Sequence, residues 1–417
     1  MKYLIFDKPS FNHLLFLSFF IIYSLRCIIE ETCQPTEDII NNFHFSYILS
    51  LSDFLSIIPV IIIQKRSKST KINESKAINE TENSNEKELI FSDNDLENEN
   101  KKSTTIFKLL IVISIFDFLA QYLVLIFFII QQKSNIPIKD LNLNCVLIIH
   151  IIAQYLTNRI ILHYLFYKHH YLSLIINIIF LIILGSLDIR DIYNSENKPI
   201  ISLFFLLTNM LIIIFYSIED ALAKIVLTYN SISPYHYLLY RGIIVNCFVL
   251  IFSIIFIFVD IPDENGENSC VYTRFWKLYE DKVNIISYIG YLIIGFLFNV
   301  NIFLIIDKFT SSHFAASHIF GSFGYLLCSI AIFQNIDVSG FFLRFALYII
   351  LIIAASIHNE FIILKFCGFE KHTKLFLEKE AEKDVKHYDT LFATADTIID
   401  DDIEDLIQKK TIELKNV

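Results

Sequence analysis

The sequence predicts an all-α, polytopic membrane protein of about ten transmembrane helices, arranged as two inverted five-helix repeats. Three observations carry that expectation. Of the 417 residues, 54% are hydrophobic and only 19% charged, with a mean hydropathy of +0.54. A soluble domain of that composition would expose apolar surface it could not cover. The apolar residues also fall in repeated runs of roughly 20, the length that crosses a bilayer core as a helix. Lastly, the lysines and arginines between the runs collect on alternate connections, the positive-inside pattern.

Apolar runs bounded by charge mark spans near 11–30, 44–63, 106–130, 143–166, 170–188, 199–219, 235–261, 283–306, 310–333 and 341–365. The first is too long for a cleaved signal and runs into EETCQPTED without a small-residue cleavage site. Positive clusters are MKYLIFDK before the first span, QKRSKSTK after the second and FYKHH after the fourth. Lys224 and Arg241 flank the sixth-to-seventh link, Lys308 follows the eighth span, and KFCGFEKHTK follows the tenth. The opposite connections, EETCQPTED, DIRDIYNSEN, DIPDENGENSC and NID, are acidic or neutral. Both termini are therefore expected in the cytoplasm. QQKSNIPIKD, between the third and fourth spans, is the one connection against it.

Five is odd, so two halves of five spans insert in opposite senses, a common transporter architecture with a central site between the halves. The first half is 1–193, the break falls at NSENKP (194–199), and the second half is 194–367. Residues 66–104 are Lys, Glu, Asn and Ser with little apolar content, which predicts a disordered cytoplasmic linker. Its sequons at Asn73 and Asn79 are expected to stay unglycosylated on that side of the membrane. An acidic tail, 368–417, reads as a short solvated helix.

The net charge of -10 resides mostly in linker and tail and identifies no partner. No concentrated basic face exists, which excludes nucleic acid. The seven cysteines lack CxxC or Cys/His metal spacing, so neither a metal nor a cofactor is expected. Cys33, Cys145 and Cys270 fall at lumenal span ends and are compatible with a disulfide or with free thiols.

A charge in hydrocarbon costs about 3 kcal/mol on insertion scales, so polar residues at mid-span mark function or pairing. Those expected near mid-membrane are Asp53, Asp117, Gln121, Gln154, Asn209, Ser317 and His318. Asp117 and Gln121 share a helix face, as do His150, Gln154 and Asn158. The second stripe predicts a wet path beside the fourth span; interhelical hydrogen bonding is the plainer alternative. No lysine or arginine is expected at the depth of Asp53 and Asp117, so protonation or a cationic substrate is expected there. Arg159, Glu219, Asp220, Lys224 and Arg241 are expected at the cytoplasmic edge as anchors or gate residues. There Asp220 would pair with Lys224 along the helix and Arg241 could meet Glu219.

SIEDALAKIVLTYNSISPYHYLLYRG (217–242) has an acidic pair, a lysine, a Ser-Pro turn and an apolar helix opening with Arg-Gly. It resembles the sixth-to-seventh link of the ten-helix, EamA-type members of the drug/metabolite transporter superfamily, which include nucleotide-sugar and triose-phosphate carriers. LFYKHHYLSLIINIIFLIILG (165–185) is similar to their fourth-to-fifth turn, and SLSDFLSIIPVIIIQKRSKS (50–69) to their second helix. The resemblance covers about 11–366. It implies transport of a small metabolite by alternating access, in an endomembrane (Golgi, endoplasmic reticulum or endosome) or the plasma membrane. HFAASHIFGSFGYLL (313–327) lacks the basic pair of the sugar-phosphate carriers, which argues against a phosphorylated substrate. Its Ala315, Ala316, Ser317, Gly321 and Gly324 predict close helix approach.

Partners expected are the bilayer and a small-molecule metabolite, with a homodimer and a cytosolic protein on the tail as further candidates. The rival classes are a non-transporting scaffold or receptor and a membrane-embedded transferase. His313, His318 and His358-Asn359-Glu360 invite the transferase. No nucleophile–base pair or HExxH spacing accompanies them, so an enzyme is not expected.

Overall fold

A computed structural model describes residues 9–33, 51–65, 104–123, 143–194, 199–257, 260–262, 268–270, 282–333, 338–365, 373 and 376. Most of the linker and tail, both sequons, and the side chains of Cys33, Cys145 and Cys270 lie outside the described set. Ten helices are present among the described residues, in the order of the ten predicted spans. They are α1 (Pro9–Cys33), α2 (51–65), α3 (Thr104–Leu123), α4 (Leu143–Ile161) and α5 (Lys168–Asn194). α6 (Pro199–Lys224), α7 (Pro234–Ile257), α8 (Lys282–Lys308), α9 (Ser311–Phe333) and α10 (Val338–His358) complete the set. Among the described residues, four stretches are long and apolar enough to cross a membrane: Thr104–Leu123, Lys168–Leu187, Tyr288–Lys308 and Gly340–His358.

One departure from all-α is a ribbon joining Asp260–Pro262 to Asn268–Cys270, with Ile261 opposite Ser269. The DENGE between them is turn-forming sequence. Two predicted spans end early. α4 stops at Ile161 and its chain turns at His163, whose φ is 50°. α10 stops at His358 rather than 365, capped by Glu360 at φ 58° while the Phe361 amide donates to the Ser356 carbonyl at 2.8 Å. That is a Schellman-type ending in which a glutamate occupies the left-handed position glycine normally takes. α6 continues past its apolar run as polar helix to Lys224, as the sequence there predicts, and then as π-helix through Tyr229.

Two apolar cores hold the helices. Phe16 and Phe19 of α1, Ile113 of α3, Leu238 of α7 and Ile305 of α8 meet in one. Ile151 of α4, Leu181 of α5, Ile319 of α9 and Leu351 of α10 meet in the other. The outward faces are apolar as well: Leu156, Ile160 and Ile286 are exposed. A helix that is hydrophobic all round suits lipid on one side and protein on the other. The α1–α9 crossing uses the predicted small residues. A Cβ on Gly321 would lie 2.6 Å from the Tyr23 ring, and one on Gly324 would overlap Ser24 Oγ.

Candidate functional site

Helix α7 begins with Ser233, whose hydroxyl accepts the His236 amide at 3.3 Å, followed by Pro234 at the first helical position. Both are favoured choices for starting a helix. Seven residues further on, Arg241 turns into the bundle. Its Nη1 donates to Glu219 Oε1 of α6 at 2.9 Å, and its Nη2 is 3.2 Å from Asp53 Oδ2 of α2. Its Nε lies 3.4 Å from Asp117 Oδ2 of α3. Asp53, Asp117 and Glu219 are at most 2% exposed and Arg241 is 7% exposed. Four helices thus meet through one guanidinium, whose planar fork can serve several carboxylates where an ammonium could not. Phe303 lies under it, 5.0 Å from Cζ to ring centroid.

These acids are further held from behind. Asn299 donates to Asp53 Oδ1 at 2.8 Å, Gln121 to Asp117 Oδ1 at 3.1 Å, and Gln154 to Asp220 Oδ2 at 2.6 Å. Asp53 starts a 3-10 turn, Asp53–Ser56, inside α2. Pro59 follows, and with no N–H it cannot bond the Leu55 carbonyl, which accounts for irregular helix here. Gly242 permits the α2–α7 contact itself, since a Cβ there would sit 2.7 Å from that of Asp53.

The cluster forms one wall of a cavity of about 430 Å³. Of the sequence-predicted residues, Asp117, Gln121, His150, Asn209, His318, Glu219, Asp220 and Arg241 line it. Asp53 and Gln154 sit one layer back, orienting Arg241 and Asp220. Asn158 and Ser317 are elsewhere: Asn158 accepts the Ser311 hydroxyl at 2.7 Å, and Ser317 donates to the His313 carbonyl of its own helix at 2.6 Å. Arg159 is exposed and donates to the Tyr164 carbonyl at 3.3 Å, closing the end of α4.

Two expectations are corrected here. Asp53 and Asp117 do have a basic partner, Arg241. Glu219, Asp220 and Arg241 are buried and line the cavity, with the expected Arg241–Glu219 contact made. Lys224 donates to the Asp307 carbonyl at 2.7 Å, tying α6 to the end of α8, while Asp220 takes Gln154. Arg241 lies about 10 Å along α7 from its start at Pro234.

Sequence reasoning missed Arg26, Tyr23, Tyr216 and Asn299, which also line the cavity. Arg26 was findable as a charge inside an apolar run; its Cζ lies 4.6 Å from the Phe298 centroid.

A second constellation lies where α5 and α9 begin and α10 ends. The ring centroids of His170 and His313 are each 4.7 Å from that of His358, and 5.5 Å from one another. His169 Nε2 is 3.5 Å from Glu360 Oε1. Histidine nitrogens are metal ligands, and ligand atoms of His170, His313 and His358 lie within 4.8 Å of one another.

By fold and site, then, the described residues form a bundle of helices with one short ribbon and a charged cavity among the helices. No protein-family model matches the chain, and no curated protein matches it significantly.

Proposed function

We propose that the chain is a multi-pass membrane transporter that moves a small polar metabolite by alternating access between two five-helix halves. The observation that carries this reading is the cavity. It is lined by Asp117, Glu219, Asp220 and Arg241 together with amides, imidazoles and aromatic rings, and it draws on both halves of the chain. A packed scaffold has no use for so much buried charge, which is expensive unless satisfied and used. Tyr216, Phe298 and Phe314 supply apolar walls, and the polar groups supply orientation, the usual division of labour in a small-molecule site.

Helix pairing supports the two-half arrangement. If α1–α5 correspond in order to α6–α10, each contact should recur with its partner. The α1–α9 contact matches α6–α4, and α4–α5 matches α9–α10. On the α3–α6 side, the counterpart of the α1–α8 contact, Phe116 packs 5.7 Å from Phe215. The α2–α7, α4–α9 and α5–α10 contacts each map onto themselves. These pairings are the ones a pseudo-twofold relation between five-helix units would produce, the relation that inverted repeats have, while the smaller α6–α9 contact has no α1–α4 counterpart of its size. On this reading all ten helices span the membrane, with both termini in the cytosol.

Three carboxylates against one guanidinium give the site an acidic excess when all are ionised, which suits a proton or a cationic group of the solute as an added partner. In proteoliposomes, counterflow of labelled sugars, nucleosides, amino acids and polyamines is expected to reveal one transported class. Its pH-gradient dependence should change in D53N and D117N. An unchanged dependence would remove proton coupling. Access is testable without a substrate: N209C, in a background lacking the native cysteines, should react with membrane-impermeant maleimide from either side. Reaction from neither side, with folded protein, would mean a closed scaffold.

A further inference from the structure

We infer that His170, His313 and His358 form a binding site for a divalent first-row transition-metal ion, with Glu360 as the neighbouring carboxylate. This is independent of transport. All three histidines are buried, His170 and His358 to 1% exposure. They come from three helix ends that meet at one end of the bundle: the start of α5, the start of α9 and the last residue of α10.

Each Nδ1 is occupied by a separate partner. Thr310, just before α9, places its hydroxyl 2.8 Å from His313 Nδ1. Tyr155 of α4 has its hydroxyl 3.0 Å from the His170 carbonyl and 2.8 Å from His358 Nδ1. The carbonyl can only accept, so the Tyr155 hydroxyl gives it the proton. The phenol oxygen then accepts the Nδ1–H of His358. That tautomer leaves His358 Nε2 as a bare lone pair. Outer partners of this kind orient metal-binding imidazoles.

The Nε2 atoms of His170 and His358 are buried without a hydrogen-bond partner, and so are both side-chain polar atoms of Asn359. A bound ion is one of the partners that satisfies buried nitrogens of this kind. Glu360 adds an independent observation. Its backbone keeps the left-handed conformation at φ 58°, disfavoured for a side chain with Cβ, and its carboxylate falls within 4.8 Å of ligand atoms of His169 and His170.

A tetrahedral ion with bonds of about 2.0–2.1 Å needs nitrogens about 3.4 Å apart, so the rings must close slightly around it. One proton must also move. The Tyr167 amide donates to His170 Nδ1 at 3.1 Å, which puts the proton on Nε2 in the neutral ring. The ion takes His170 through Nε2 when that proton transfers to Nδ1 and the amide bond opens. A metal–imidazole bond outweighs one such hydrogen bond. Imidazole and carboxylate donors favour zinc-like ions over magnesium or calcium. α5 belongs to the first half of the chain and α9 and α10 to the second, so a bound ion would clamp the halves together at this end.

The test is a titration of chelator-stripped, detergent-purified full chain with Co²⁺, followed by visible absorption, and with Zn²⁺, followed by elemental analysis. One ion per chain with tetrahedral Co²⁺ bands is expected. H170N and H358N should lose it, and H236N should keep it. H313C should still bind Co²⁺ and add a near-ultraviolet thiolate-to-cobalt band. Wild-type chain that binds no stoichiometric ion would overturn the site. So would undiminished binding in folded H170N and H358N, or H313C bound without the new band. If H170N and H358N fail to fold, the wild-type stoichiometry and the H313C band decide the matter.

Discussion

The central cavity and the histidine cluster are both buried polar sites between helices, yet they are built on opposite electrostatic terms. In the cavity, Arg241 is surrounded by Asp53, Asp117 and Glu219, Asn299 and Gln121 donate to the first two, and Gln154 donates to the adjacent Asp220. Charge is balanced against charge, and removing any member leaves others exposed to low dielectric. At the histidine cluster the side chains can be neutral, and the Nε2 atoms of His170 and His358 have no hydrogen-bond partner. The lesson is that buried polarity alone does not define a role. What separates the two is charge: the first site sets carboxylates against a guanidinium, and the second gathers imidazoles with no opposing charge among the three rings.

Breaking the cavity should therefore give the largest effect. R241A strands three carboxylates, and removing one partner of a buried ion pair typically costs about 3–5 kcal/mol. A large drop in detergent melting temperature and complete loss of solute counterflow are expected. R241K should recover stability only in part, because an ammonium cannot fork to three acids. If R241A melts like wild type, the cavity charges are hydrated and the contrast with the histidine cluster disappears.

Next come changes that disturb the cavity without touching its charges. G242A puts a Cβ 2.7 Å from that of Asp53, and overpacking of this sort costs about 1–3 kcal/mol. Nothing lies within 4 Å of a Cβ on Gly290, so G290A in α8 is the matched control. It should stabilise by up to about 1 kcal/mol through helix propensity alone. Equal melting shifts for the two alanines would mean that the α2–α7 approach is not constrained. Q154L leaves Asp220 without its 2.6 Å donor and should cost about 1–3 kcal/mol, read by the same thermal scan.

The smallest effect should come from the other site. E360G places glycine at a left-handed position and should raise stability by about 1 kcal/mol in metal-free protein. The same substitution should weaken Co²⁺ binding at the cluster. A gain in stability with unchanged affinity would assign Glu360 to helix capping alone.

Much of the architecture was legible in advance. Ten apolar runs became ten helices in the expected order, because hydropathy and helix periodicity are properties of consecutive residues. Asp117, Gln121, His150, Asn209 and His318 were found as polar residues inside apolar runs, and they do line one cavity. Arg241, Glu219 and Asp220 were found as well, but that the guanidinium would meet acids from three other helices depends on packing and not on local pattern.

By itself the sequence determined the order of the described helices and several of the polar residues they bury, among them Asp53, Asp117 and Gln154. Only the tertiary structure decided which of those residues meet. Asp53 and Arg241 are far apart in the chain, as are His170, His313 and His358, and no spacing rule links them. Local pattern says which face of a helix is polar. The partner on the opposing face is set by packing of many weak contacts at once, such as the close approach at Gly242 that brings Asp53 against Arg241.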